Sequence, residues 1–99
     1  MKVRWTDSAA INWEQTFDYI AQENFSAAIR IAESIIDLTE LLAVHPFAGR
    51  PGRTSGTREM IVAKSPFIMV YGVDSPEEII WIYAIYHGRR RWPSDFPRR

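Results

Sequence analysis

Residues 57–93 read Thr57-Arg58-Glu59-Met60-Ile61-Val62-Ala63-Lys64-Ser65-Pro66-Phe67-Ile68-Met69-Val70-Tyr71-Gly72-Val73, then Asp74-Ser75-Pro76-Glu77-Glu78, then Ile79-Ile80-Trp81-Ile82-Tyr83-Ala84-Ile85-Tyr86-His87, and end on Gly88-Arg89-Arg90-Arg91-Trp92-Pro93. Runs rich in β-branched and aromatic residues at 58–63, 67–73 and 79–87, parted by Ser-Pro and Asp-Ser-Pro turn signals, predict a hairpin followed by a further antiparallel strand. The last run is apolar or aromatic on both alternating sets of positions, which predicts a central strand. Ile80, Ile82 and Ala84 are compact and suit packing beneath a helix. Ile79, Trp81, Tyr83 and Ile85 form a bulkier set, and either set can face inward. This strand empties into arginines beside a tryptophan, which predicts a fixed cationic spot at a sheet edge, suited to an anionic partner.

Before this region the hydrophobic period changes. Val3-Arg4-Trp5 alternates and reads as a short strand. Thr6 or Asp7 offers an N-cap oxygen, and Ala10, Trp13, Phe17, Ile20 and Ala21 follow at the spacing of one helical face. Asn24-Phe25-Ser26 breaks that helix, with Ser26 expected to cap a second one whose stripe is Ala28, Ile31, Ile35, Leu38 and Leu42. Ile29, Ala32 and Ile36 widen this stripe, predicting contact with both the sheet and the first helix. His45-Pro46 ends it, because proline disfavours helical geometry in the preceding residue and has no amide hydrogen. Residues 48–56 hold three glycines and one proline around Arg50 and Arg53. That composition predicts a loop without regular structure that presents backbone amides and guanidinium groups together. Trp5 and Trp13 are expected in the core. The expected fold class is α+β: an N-terminal strand, a two-helix hairpin, then three antiparallel strands, forming one twisted sheet with the helices on one face.

Ninety-nine residues, 46% hydrophobic, predict a single domain spanning 1–99. The chain has no cysteine, which excludes disulfides, thiolate metal sites and cysteine nucleophiles. No stretch reaches the roughly 18 apolar residues of a membrane span, so a soluble cytoplasmic protein with no membrane association is expected. Glu33, Asp37 and Glu40 on the second helix have no histidine or cysteine to complete a donor set, so neither metal nor cofactor is expected. The formal net charge is zero, but its distribution is uneven. Residues 1–49 hold three basic residues (Lys2, Arg4, Arg30) against seven acidic ones, and residues 50–99 hold nine basic against five acidic. Local arginine density sets the field that an anionic partner meets, so the zero total excludes no such partner.

Six pieces, in order, carry a family resemblance: Val3-Arg4-Trp5-Thr6 with Ala9-Ala10; Tyr19-Ile20-Ala21; residues 46–52 as PFAGRPG; Gly56-Thr57-Arg58-Glu59; Pro66-Phe67 with Val70-Tyr71; and His87-Gly88-Arg89 before Trp92-Pro93. Nearly the whole chain thus resembles the RelE/ParE superfamily of bacterial toxins. The resemblance implies a toxin of a type II toxin–antitoxin pair, inhibiting growth and neutralised by a cognate antitoxin. Two activities occur in the superfamily: ParE-like members poison DNA gyrase without known chemistry of their own, and RelE-like members cut messenger RNA in the ribosome.

Cleavage by a 2′ hydroxyl needs a base, cations for the charge developing on phosphorus and an acid for the leaving oxygen. Lys64, His87, Arg89 and Arg90 are the catalytic candidates for that chemistry, with Arg58 a further possible cation and Glu59 a possible carboxylate base. The alternative for His87 is a structural end to the last strand, a ring nitrogen bonded to backbone. Ribonuclease members usually carry a basic residue shortly before the Val-Tyr pair, where this chain has Phe67-Ile68-Met69. That departure favours a ParE-like, non-enzymatic inhibitor of DNA gyrase over the ribonuclease. Arg50, Arg53, Arg58, Arg89, Arg90, Arg91 and Trp92 are the candidates for contact with target or antitoxin.

Overall fold

The N-terminal strand β1 (Lys2–Trp5) runs into Thr6, whose Oγ1 accepts the Ala9 amide at 3.1 Å and so caps helix α1 (Asp7–Glu23). The computed structural model describes residues 1–90. Asn24 closes α1 and opens α2 (Phe25–Val44): its amide donates to the Ile20 carbonyl while its Oδ1 accepts the Ala27 amide. One residue therefore serves both helix ends, and the expected cap at Ser26 is displaced into the first turn of α2. Proline at 46 ends α2 as expected, with His45 at its C-cap.

Four further strands follow: β2 (Arg50–Pro51), β3 (Arg58–Ile61), β4 (Phe67–Asp74) and β5 (Ile79–His87). Their order across one sheet is β1-β5-β4-β3-β2, with β1 parallel to β5 and the other pairs antiparallel. β5 lies in the interior of the sheet, as its double-sided apolar pattern predicts. β2 is the departure. Arg50 and Pro51 pair with Glu59 and Arg58, so the glycine-rich segment contributes a two-residue edge strand. Its loop is closed by the Gly52 amide on the Thr57 carbonyl at 2.7 Å, and Gly56 takes the left-handed turn position at φ 80°. β3 also stops at Ile61, short of Ala63, because a turn over 62–67 intervenes with Lys64 at φ 57°.

The helices pack on one face of the sheet. Ala9, Ile31, Ile35 and Leu42 meet Val62, Met69, Tyr71, Ile80, Ile82 and Ile85 in the main core, with Trp5 and Trp13 packed against it. In α1 it is Ala9 that is buried while Ala10 is exposed, a shift of one position around the helix. α2 touches both the sheet and α1 as expected, but Ile29 and Ile36, 40% and 56% exposed, take no part in the buried core. The sheet and α1 lie against the Ile31–Ile35–Leu42 side, more than a third of a turn away.

Neither alternating set of β5 is the inner one throughout. Val70 pairs with Ala84 but Tyr71 pairs with Ile82, leaving Tyr83 as an extra residue in a β-bulge. The bulge switches the alternation: Ile80, Ile82 and then Ile85 face the helices. Tyr83 and Ala84 join Val70 on the outer face, packed by Trp81 and Tyr86. Beyond Ile82, β5 has outrun β1, whose pairing ends at Trp5. There the Oδ1 of Asn12, on α1, accepts the Ile85 amide at 2.7 Å and stands in for the missing strand.

Tyr71 anchors the segment between α2 and β2. Its hydroxyl donates to the Pro46 carbonyl at 2.9 Å and accepts the Gly49 amide at 2.8 Å. A Cβ at Gly49 would lie 2.6 Å from that oxygen, so only glycine fits. Burial pushes the phenol above its ordinary value of 10.0, opposed by the Gly49 hydrogen bond and the Arg58 charge. Above pH 10 the unfolded chain loses this proton while the folded chain retains it, so stability falls as pH climbs through the raised pKa. Tyr71→Phe is expected to cost about 1–3 kcal/mol at pH 7, by orphaning the Gly49 amide and Pro46 carbonyl, and to flatten the alkaline loss. Urea unfolding at pH 7 and from pH 9 to 11 measures both effects.

Candidate functional site

A carboxylate in the middle of a strand organises the cationic segment. Within β3, Arg58 pairs across the sheet with Tyr71 and so shares the helix face, whereas Glu59 pairs with Val70 and points to the outer face. The Glu59 side chain is only 2% exposed. Its Oε1 accepts from Arg50 Nε at 3.3 Å and Nη2 at 3.0 Å, and its Oε2 accepts the Arg53 amide at 2.7 Å. The Arg53 Nε lies 3.8 Å from Oε1 as a second ion pair. A buried carboxylate is tolerable only when charged or strong donors replace its water, and here one strand neighbour and one loop amide do so.

Arg53 continues across the outer face. Its Nη1 donates to the Gly88 carbonyl at 3.0 Å, tying the β2–β3 loop to the end of β5. That end is fixed in turn by the Gly88 amide on the Pro66 carbonyl at 2.8 Å and the Arg90 amide on the His87 carbonyl at 3.0 Å. His87 Nδ1 accepts the Arg89 amide at 3.1 Å, and its ring meets Phe67 edge-on at 5.9 Å. This is the structural arrangement foreseen as the alternative to catalysis. The Arg90 guanidinium sits 4.4 Å from the Tyr86 ring centroid, a cation–π contact that holds it on the outer face. Lys64, in the turn preceding β4, lies at the same end of the sheet, because that turn adjoins the Gly88–Pro66 contact.

The structure thus brings Arg53, His87, Arg89 and Arg90 together, with Arg50 joined to them through Glu59 and Lys64 on the neighbouring turn. It separates Arg58. The Arg58 Nη1 donates to the carbonyls of Gly49 at 2.7 Å and Phe47 at 3.4 Å, and its guanidinium lies 5.0 Å from the Phe47 ring centroid. Arg58 is a staple for the α2–β2 segment on the opposite face from Glu59. Arg91 and Trp92 lie outside the described residues. The role of Glu59 as organiser, rather than as a free base, escaped the sequence reading. The available signal was an acid inside an apolar strand with arginines six and nine residues before it. Among the described residues no group of three or more histidine, cysteine or acidic side chains is placed to hold a metal ion.

One N-terminal strand, two helices on one face and a set of antiparallel strands form the α+β arrangement that the resemblance to the RelE/ParE superfamily implies. The family model for the ParE toxin of type II toxin–antitoxin systems, parDE, matches residues 3–92, and the chain belongs to that family. A curated protein of Sinorhizobium fredii named "Putative toxin Y4kP" is 33% identical over 93 residues, covering 94% of each chain. Two solved structures share the fold. One, titled as the chromosomal ParDE system of P. aeruginosa, has a TM-score of 0.74 at 23% identity and covers 88% of this chain and 95% of its own. The other, a YoeB/ParE toxin from Agrobacterium tumefaciens, has a TM-score of 0.62 at 22% identity and covers 88% and 98%.

Replacing Arg50 with methionine keeps the aliphatic stem but leaves Glu59 buried with fewer donors. The expected loss is about 1–3 kcal/mol of unfolding free energy, read from the urea midpoint at unchanged slope. Arg50→Met with Glu59→Gln is expected to recover part of that loss, since no buried charge then remains.

Proposed function

We propose that this toxin arrests bacterial growth by binding DNA gyrase as a non-enzymatic inhibitor, and that a cognate antitoxin silences it by covering the same arginine surface. The proposal extends to residues 1–99 acting as one cytoplasmic toxin domain. Membership of the ParE family and the resemblance drawn from the sequence both favour gyrase. The observation that carries the non-enzymatic reading is the commitment of the two candidate bases. Glu59 spends both carboxylate oxygens on Arg50 and Arg53, and His87 spends Nδ1 on the Arg89 amide. A general base needs a lone pair aimed at a substrate proton, and these two are aimed at the protein itself. Positions 67–69, before the Val70-Tyr71 pair, hold Phe, Ile and Met and supply no cation.

The remaining groups suit recognition. Arg89 and Arg90, both exposed, and Arg53, lying across the outer face, present guanidinium forks whose backbones are fixed by hydrogen bonds, an arrangement suited to carboxylates or phosphates of a protein or nucleoprotein surface. An acidic antitoxin segment laid over these arginines would exclude the target. A helix docked in a groove or a strand added to a sheet edge are the modes open to such a partner. Among the described residues no helix is long and apolar enough to cross a membrane. The second reading, a ribosome-dependent endoribonuclease acting on messenger RNA, is favoured by the convergence of Lys64, His87, Arg89 and Arg90 at one end of the sheet.

Induction of the chain alone in a bacterial host, with DNA and protein synthesis followed by pulse labelling, separates the two. The expected outcome is an early fall in DNA synthesis, together with loss of gyrase supercoiling when the purified protein is added. A prior fall in translation with gyrase unaffected would overturn the reading in favour of the ribonuclease. Arg89→Ala with Arg90→Ala is expected to abolish toxicity with the circular dichroism spectrum unchanged, and full arrest by that folded variant would remove the cluster from the active surface.

A further inference from the structure

The outer face carries a second feature, at the far end of the β4–β5 hairpin from the arginines. A depression of about 420 Å³ is lined by Gly56, Gly72, Asp74, Ser75, Trp81 and Tyr83, among others. Its construction follows from register. Gly72 pairs with Trp81, and Gly72 and Asp74 share the outer face with Val70 by the two-residue period. The bulge then turns Tyr83 onto the same face, where its ring lies over Gly72, so close that a Cβ at position 72 would be 2.8 Å from it. Tyr83, itself buried, therefore closes the floor over Gly72, Trp81 forms a wall, and Asp74 stands at the rim. Asp74 Oδ1 accepts the Glu77 amide at 3.3 Å, which orients the carboxylate within the turn. The same turn adds the exposed acids Glu77 and Glu78 and no base. Arg4 pairs with Trp81 on the β1 side and belongs to a separate depression on that flank of the indole.

The geometry points to a binding site for a guanidinium side chain, stacked on Trp81 above the Tyr83 floor and paired with Asp74. Aromatic faces attract cations through the ring quadrupole, and a carboxylate at the rim adds a charge-assisted hydrogen bond. The planar guanidinium satisfies both at once, whereas an ammonium group behaves as a point charge. This site is chemically opposite to the arginine cluster: it takes a cation where the other takes an anion. It does not depend on gyrase being the target. An arginine of a partner protein and this chain's own Arg98 or Arg99 offer the same chemistry. Those two residues lie outside the described residues.

The test follows the Trp81 indole N–H resonance, identified by its absence in Trp81→Phe, during titration of the whole protein with Nα-acetyl-arginine amide. The neutral isostere Nα-acetyl-citrulline amide serves as control. A saturable shift is expected with the arginine compound, about tenfold weaker with citrulline or in Asp74→Asn. Saturation in the wild-type chain supports the site with an external arginine as occupant. Saturation only in Arg98→Gln with Arg99→Gln supports it with the chain's own arginines as occupant. No saturable shift in either protein, or an equal response to citrulline, overturns it. Gly72→Ala, which displaces Tyr83, is expected to weaken the response even if the protein remains folded.

Discussion

A carboxylate that is almost entirely shielded from water must be surrounded by donors, and Glu59 meets that requirement with groups drawn from a loop that has little structure of its own. The arginines gain from the arrangement as well. Arg50 becomes an edge-strand residue because its partner across the ladder is Glu59. Arg53 is held by the same carboxylate at its backbone amide and at Nε, and its Nη1 reaches across the sheet to Gly88. A segment of three glycines and a proline would otherwise sample many conformations, and ordering it costs roughly 1–2 kcal/mol per residue in backbone entropy. Charge-assisted bonds to a desolvated acceptor are among the few local interactions strong enough to offset that cost.

Adjacent residues of β3 divide this labour between the two sheet faces. Arg58 points toward the helices and, with Tyr71, fastens the chain leaving α2. Glu59 points outward and fastens the chain between β2 and β3. The same strand therefore positions the segments on both of its sides, and the pleat keeps the two functions from competing. The outer face that results is electrically graded. Arginines gather near Gly88, and the acids Asp74, Glu77 and Glu78 occupy the opposite hairpin end.

Much of the architecture was legible in the residues. The helical periods, the proline stop after His45 and the double-sided apolar run of β5 each reflect burial, and burial is what hydrophobic patterning records. The departures have a common origin in information that patterning lacks. Ala9 and Ala10 are chemically identical neighbours, so the stripe could not choose between them. Asn24 can cap either adjoining helix, and it does both. Two residues of β2 are too few for a period. The inward side of Arg58 depends on strand register, which the turn at 62–67 sets. At the site, the concentration of arginines was visible as a charge imbalance between the two halves of the chain. Which arginines converge was not, because Glu59 sorts them through contacts six and nine residues back along the sequence.

The extra residue at Tyr83 has a consequence for how relatives of this chain should be aligned and recombined. Side-chain parity along β5 behaves like a reading frame, and the bulge is where the frame changes. Residues before it are read with even positions inward, and Ile85 after it is read with an odd one. Ironing the bulge out with every residue kept would send Ile85 outward and bring Ala84 and Tyr86 against Met69 and the helices, whereas deleting Tyr83 itself would leave a plain alternation with Ile85 still inward. A gap placed elsewhere in the strand would join segments whose faces disagree. Chimeras that cross over within this strand should therefore keep both sides of position 83 from the same parent.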